Sequence, residues 1–300
     1  MRRARRSGMC ACLASILALN LASLAWHPGF AAEMPRPEDG LVAGGVYANA
    51  YFDLSYPLPA GWTEDVAGPP PSVTGYYVLA SLVPAGERNG TVLIAAQDLF
   101  FVGAMRDDAT AAADEFAAAM ARIAGMRIDR PPSKVALAGR NFGRVDFSGV
   151  GLYRSTLLTV SRCHLLSINL TAKSPAALAA LVASLDRLND AHADAPASPH
   201  PLCVANHATS DNVRTRVDPP PSSPAFTPIP VRIVIGDDGG VKHVHVIRAS
   251  PEQRTGIEAA LGRWKFRPYA IDGRATEIET GLLIEFRADG AVVYSAGGGR

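Results

Sequence analysis

The chain lacks the sequence features that mark most enzymes and nucleic-acid-binding proteins. It has no glycine-rich phosphate loop, no serine-hydrolase elbow and no HExxH zinc-protease sequence, and no motif that calls for a cofactor. Charged residues make up only 19% of the 300 residues, and the formal net charge is +1. Without the four arginines near the start, 25 basic residues face 28 acidic ones. Such a balance gives no electrostatic reason to expect a nucleic-acid partner.

Acidic residues are absent before Glu33, and the first 32 residues have the composition of a secretory leader. Four arginines within the first six residues precede the uncharged run MCACLASILALNLASLAW, and small residues near Ala32 suit cleavage. We predict that residues 1–32 are a signal peptide, which places the mature chain in the periplasm or otherwise outside the cytoplasm. The alternative is an uncleaved inner-membrane anchor, although the run is near the lower limit for crossing about 30 Å of hydrocarbon. Membrane contact is expected only in that case.

Cysteine is scarce as well, since only Cys163 and Cys203 remain after the leader. An even number of cysteines in an oxidising compartment permits one disulfide, and two unpaired thiols are the alternative. We predict that Cys163 and Cys203 are bonded to each other.

Length and composition predict two folded domains. Residues 33–45 are rich in proline and glycine and are expected to be loose. Residues 46–188 show strand patterns and two helices, which predicts an α+β domain with an antiparallel sheet and its helices on one face. Residues 189–228 hold eight prolines and no apolar periodicity, so they are predicted to be a linker. A second domain at 229–286 and a tail at 287–300 complete the chain.

The second domain follows a strand–strand–helix–strand order. An Asp-Gly turn joins VRIVI to VKHVHVIR, and Ser250 begins a helix with a capping-box spacing. Beyond the helix, Trp264 and Phe266 are expected to fix its exit against the sheet. Pro268 then ends the helical pattern, and Gly273 permits the turn into the last strand.

This domain resembles the C-terminal domain of the TonB family. The resemblance rests on Ala-Ala-Leu before WKFRP, on the DGR turn, and on the closing IEF. It implies that the last strand is an exposed edge that accepts an extended segment of a partner, such as an outer-membrane transporter, as an added strand. The partner-binding positions are then Thr276, Ile278, Thr280, Leu282, Ile284 and Phe286.

The first domain resembles the PsbP-like family of small α+β domains. The resemblance rests on FDLSYPLPAGW, on the mid-chain helix, and on INLTAKSPAALAALVASL. It implies a binding or assembly role and supplies no active site.

The remaining candidates for chemistry are weak. Cys163 and His164 are neighbours on a strand and point to opposite faces, so they cannot form a nucleophile–base pair. His243 and His245 share a face but lack a third metal ligand nearby. We therefore expect a non-enzymatic exported protein that binds a protein or peptide partner in the cell envelope. The alternatives are a membrane-anchored energy transducer of the TonB type and an enzyme with a site in the first domain.

Overall fold

A computed structural model describes residues 34–86, 89–103, 108–188, 200–222 and 228–297. The predicted signal peptide and its cleavage site lie outside these ranges. No helix within the ranges is long and apolar enough to cross a membrane.

A small sheet and a large sheet form the first half of the chain, and both are antiparallel. The small sheet pairs three strands in sequence order: β1 (Leu41–Ala43), β2 (Val46–Asn49) and β3 (Leu54–Pro57). The large sheet has seven strands: β4 (Trp62–Glu64), β5 (Tyr76–Pro84), β6 (Gly90–Asp98), β7 (Arg127–Leu137), β8 (Arg140–Gly149), β9 (Leu152–Ser161) and β10 (His164–Ala172). Their order across the sheet is β4-β5-β6-β10-β9-β8-β7, so β4 and β7 are its edges.

Two helices pack on the large sheet, from opposite faces. Helix α1 (Ala109–Ala121) packs its alanines against Leu158, whereas α2 (Pro175–Ser184) shares a core with the adjacent Leu157. Successive residues of a strand point to opposite faces, so the expectation that both helices lie on one face was wrong. The α+β class itself is confirmed. The short 3-10 helices Leu99–Phe101 and Leu185–Arg187 follow β6 and α2.

Among the residues that the structure describes, the second half of the chain contains nine strands and one helix. The elements are β11 (Leu202–Cys203), β12 (Val213–Thr215), β13 (Ile229–Ile235), β14 (Val241–Val246), α3 (Pro251–Leu261), β15 (Lys265–Phe266), β16 (Ala270–Ile271), β17 (Arg274–Ala275), β18 (Ile278–Phe286) and β19 (Val292–Ala296). The expected strand–strand–helix–strand order is confirmed as β13, β14, α3 and β18. The main sheet has the order β11-β18-β13-β14, and β19 also pairs with β18.

Three segments expected to be irregular contribute strands. The loose segment 33–45 contains β1, the linker 189–228 contains β11 and β12, and the tail 287–300 contains β19. These four strands are two to five residues long, which is too short for a periodicity of their own to predict them. Pro35–Arg300 consequently form one compact unit.

Candidate functional site

The strand on which partner binding was predicted, β18, has strand neighbours on both sides. Strand β13 pairs along one side from Ile229 to Ile235. On the other side, β11 pairs in parallel with Ile278 and Glu279, and β19 pairs antiparallel with residues 282–286. The expectation of an exposed edge was therefore wrong, because segments assigned to the linker and the tail cover it.

The side chains predicted to contact a partner belong to the hydrophobic core. Five of them are at most 3% exposed: Ile278, Thr280, Leu282, Ile284 and Phe286. Their face of the sheet packs on α3, and Thr276 lies half-buried just before the strand. The outer edge instead presents backbone of the intervening residues, since the carbonyls of Glu277 and Glu279 accept from Leu202 and Val204 at 3.1 and 3.0 Å.

The residues expected to fix the helix exit lie at the base of this core. Trp264 is 1% exposed, and its indole Nε1 donates to the carbonyl of Val217 at 2.7 Å. Its ring centroid is 5.8 Å from that of Phe266 and 5.0 Å from that of Tyr294. Pro268 follows β15, and Gly273 has a φ of 77° in the turn between β16 and β17.

The disulfide between Cys163 and Cys203 is present, with a Cα–Cα distance of 5.7 Å. Cys163 lies in the two-residue turn between β9 and β10, and Cys203 lies in β11. The bond therefore fastens the large sheet to the strand that covers the beginning of β18.

A buried ion cluster, which the sequence analysis missed, joins the same two sheets. The Arg232 guanidinium of β13 is 1% exposed and donates from Nη1 to Asp98 Oδ2 at 2.7 Å and from Nε to Glu279 Oε1 at 2.8 Å. Its Nη2 donates to the carbonyl of Arg162 at 3.2 Å. Asp98 lies in β6 of the large sheet and Arg162 in the turn between β9 and β10, whereas Glu279 belongs to β18. We call Asp98, His164, Arg232 and Glu279 the inter-sheet cluster.

The electrostatics of the inter-sheet cluster favour one arrangement of charges. Burial disfavours the Arg232 cation, but Asp98 and Glu279 outweigh it and raise its pKa well above the ordinary value. Burial raises the pKa of Asp98. That carboxylate nevertheless accepts from Arg232 and from the backbone N–H of Phe100, which favours its charged form. Burial, and then Arg232, hold the pKa of His164 well below the ordinary value.

Hydrogen bonding fixes the role of His164. Its Nδ1 lies 2.6 Å from the carbonyl of Arg162, which can only accept, so Nδ1 carries the proton. Its Nε2 faces Arg232 Nη1 at 3.4 Å as the acceptor. The imidazole is therefore neutral and links the Arg162 carbonyl to the Arg232 guanidinium inside the cluster.

Shape also matches across the junction. The Phe100 ring lies over Gly281 of β18, where an added Cβ would come within 2.5 Å of the Phe100 Cβ. The guanidinium of Arg232 stacks on the same ring at 4.9 Å. Because Gly281 is directly opposite Arg232 in the β13–β18 ladder, the missing side chain makes room for Phe100.

This arrangement joins two sheets, and its charged groups are almost fully shielded from solvent. Asp98 and His164 have no exposed surface, and Glu279 is 8% exposed. A single charged residue inside the apolar strand VRIVI was the available sequence signal for a buried ion pair. No group of His, Cys, Asp or Glu within the described ranges is arranged to hold a metal, and His245 instead lies 3.1 Å from Glu38.

No protein-family model matches the chain, and neither does any curated protein sequence. The solution structure of cyanobacterial PsbP (CyanoP) from Synechocystis is similar at a TM-score of 0.35 and 14% identity, over 49% of this chain and 94% of that one. The crystal structure of LpqN, involved in cell envelope biogenesis of Mycobacterium tuberculosis, is similar at 0.30 and 14%, over 45% and 80%. Both likenesses are weak, and the TonB resemblance stays a prediction.

Proposed function

We propose that the protein is an exported, non-enzymatic envelope protein that binds a protein partner by strand exchange at the outer edge of β18. One observation carries the proposal: short segments of the same chain hold this edge, two residues in β11 and five in β19. A row of backbone donors and acceptors in such a position is a template for an added strand. A partner strand would replace β19 and take over its hydrogen bonds.

The energetics make such an exchange feasible. Strand β18 keeps its full ladder with β13 when β19 leaves, because the two pairings use opposite edges. Strand β19 contributes Val292 and Tyr294 to the core, and the Tyr294 hydroxyl donates to Asp218 at 2.9 Å. A partner strand with an aromatic residue at the Tyr294 position would recover most of these contacts. The net free-energy cost of the exchange is therefore the small difference between the pairing free energies of two similar strands.

The non-enzymatic part of the proposal rests on the inter-sheet cluster. Strongly shifted pKa values in an open cleft would suggest catalysis. Here Arg232 and His164, whose pKa values are strongly shifted, help to join the two sheets and are buried, so their shifts have a structural explanation.

The test is to lock β19 in place. Glu285 and Val293 face each other across the β18–β19 ladder, and the double variant Glu285→Cys/Val293→Cys can close a second disulfide there. The probe is a fluorescent peptide with the sequence of residues 290–297. We expect the wild-type chain and both single-cysteine variants to bind the peptide slowly. The oxidised double variant is expected not to bind it, because β19 cannot leave β18.

A truncated chain that ends at Asp289 is expected to bind the same peptide quickly, and a peptide with alanine in place of Tyr294 poorly. If neither the truncated nor the wild-type chain binds the 290–297 peptide, strand exchange at β18 is not the function of this edge.

A further inference from the structure

We propose a second binding surface on the large sheet, formed by the outer edge of β7 and the groove between β7 and α2, that receives an extended peptide of another protein. The surface lies on a different sheet from β18. The inference therefore goes beyond strand exchange at β18, and its test is independent of the test of that exchange.

The backbone of β7 is open along its outer edge. Among the described residues, β7 pairs with β8 alone. The two-residue turn Ala138–Gly139, with φ of 51° and 72°, makes Leu137 and Arg140 the hydrogen-bonded pair that closes the hairpin.

Hydrogen-bonded positions then alternate along the strand. Ser133, Val135 and Leu137 direct their backbone groups to β8, whereas Lys134 and Ala136 direct their N–H and C=O groups outward. Four backbone groups are thus available to an added strand. Register shifts interrupt the ladder between Ile128 and Ser133, in the stretch that holds two prolines without N–H donors. The receptive stretch is therefore 133–137.

An apolar groove runs beside this stretch. Its volume is about 390 Å³, within the range of small ligand pockets. On the α2 side, Ala179 and Ala183 are one turn apart and leave the space open because their side chains are small. The lining residues are Val135, Leu137, Arg144, Leu157, Ala179, Val182, Ala183 and Asp186.

The groove and the edge select complementary parts of one ligand. Val135 and Leu137 point to the groove face, so residues of an added strand on that face would place apolar side chains over them. On the other face, Lys134 is exposed and forms no ion pair with any residue that the structure describes. An extended peptide in which apolar and acidic residues alternate satisfies both faces.

Charge argues against a second copy of this chain as the occupant. Two antiparallel β7 strands paired over residues 133–137 would bring their Lys134 side chains close together on one face, and like charges across a strand pair are destabilising. A lysine on an edge strand is a known protection against self-association. An acidic partner turns the same lysine into an attractive contact.

The probe for the test is an acetylated and amidated peptide of the sequence Asp-Leu-Glu-Leu-Asp-Val-Glu, added to the ¹⁵N-labelled mature chain. We expect saturable chemical-shift changes at Lys134, Ala136 and Val182. Two further peptides carry N-methyl groups on complementary sets of alternate amides. Strand addition requires that one set abolishes binding and the other does not, because only one set faces β7. Equal behaviour of the two, or no shift in β7 at millimolar peptide, overturns the proposal.

Protein variants test the groove separately. Ala183→Leu fills it and is expected to weaken peptide binding about tenfold, which is about 1.4 kcal/mol. Ala180→Leu adds the same volume elsewhere on α2, where it does not line the groove, and serves as the matched control. Ala136→Pro removes an outward N–H without touching the β8 ladder and is expected to weaken binding by a similar factor. Unchanged melting temperatures and unchanged uptake of the 290–297 peptide would show that fold and β18 exchange are intact. Equal affinities for Ala180→Leu and Ala183→Leu would refute the groove.

Discussion

Arg232 is the residue on which the junction of the two sheets depends most. Its guanidinium satisfies two buried carboxylates and a carbonyl. Such a cluster can be replaced as a whole at little cost, but removal of one member leaves buried charge without compensation.

Arg232→Met is therefore expected to lower the free energy of unfolding by about 3–5 kcal/mol. Urea denaturation at pH 7 measures the loss. Arg127→Met is the matched control, because the Arg127–Asp129 pair has an arginine side chain that is 74% exposed, and exposed pairs are worth at most about 1 kcal/mol. Similar losses in the two variants would contradict the role assigned to the inter-sheet cluster.

His164 makes stability depend on pH. Its pKa in the folded chain is depressed, so the stability it contributes is present above the unfolded pKa of about 6.5 and is lost as the pH falls from there toward the folded value. In that window the unfolded chain binds one more proton at this site, which gives a slope approaching about 1.4 kcal/mol per pH unit. We expect His164→Gln to flatten the dependence of unfolding free energy on pH between 6.5 and 5. Parallel curves for the variant and the wild type would show that His164 is protonated in the folded chain.

Thr280 carries a buried hydroxyl that has no hydrogen-bond partner among the residues that the structure describes, beside a largely apolar core. Thr280→Val removes an unsatisfied polar group at nearly constant volume, so we expect a gain of about 1 kcal/mol in stability. Thr159→Val is the counterpart, because the Thr159 hydroxyl donates to the Asn141 carbonyl at 2.8 Å, and its loss should destabilise by about the same amount. Thermal melts of both variants measure these changes. A loss of stability in Thr280→Val would contradict the prediction that its hydroxyl is unsatisfied.

At the scale of elements, the 3-10 helix Leu99–Phe101 packs closely on β18 at Gly281. Gly281→Ala would push a Cβ against Phe100, and overpacking of this kind costs about 1–3 kcal/mol. Gly86→Ala is the control, since no described residue lies within 4 Å of its added Cβ. Chemical denaturation of both variants gives the comparison. Equal stabilities would mean that Phe100 can move aside at no cost.

The sequence predicted β18 as a strand but not its surroundings. Alternation of apolar residues from Ile278 to Phe286 predicts that one face is buried, and that face became the α3 core. The alternation of apolar residues does not show which backbone edge of the strand is free to pair. That depends on β11 and β19, whose two and five residues carry too little pattern to be detected. The side chains expected to select a partner were consequently assigned to the wrong role.

In the candidate site, too, one feature could be predicted from the sequence and another could not. The even number of cysteines after the leader, together with the predicted export to an oxidising compartment, was enough to predict the disulfide between Cys163 and Cys203. The inter-sheet cluster draws Asp98, His164, Arg232 and Glu279 from four strands, and only the folded arrangement of the sheets brings them within hydrogen-bond distance. A charged residue in VRIVI was visible, but nothing in the sequence named its partners.

At the scale of the whole molecule, the two predicted domains share a buried boundary. One face of the C-terminal sheet packs on α3, and the other buries Arg232, Glu279 and Gly281 against the large sheet. Neither half can leave the other without exposing that charged face.

We therefore expect calorimetry to show a single unfolding transition whose calorimetric and van't Hoff enthalpies agree. The isolated fragment 228–300 should lack a cooperative melt, because its second sheet face and Trp264, whose Nε1 bonds to Val217, would be uncovered. Two separate transitions, or a natively folded fragment, would restore the picture of two independent domains.

The disulfide acts across time as well as space. If the chain is exported from its N-terminus, as we propose, Cys163 and Cys203 emerge before residues 278–286. The bond can close while β18 is still missing, and it then holds β11 where the last long strand must arrive. On this proposal, β11 serves as a fixed guide strand for assembly of the second sheet, and a chain in which the bond has not formed would have to make that pairing without it.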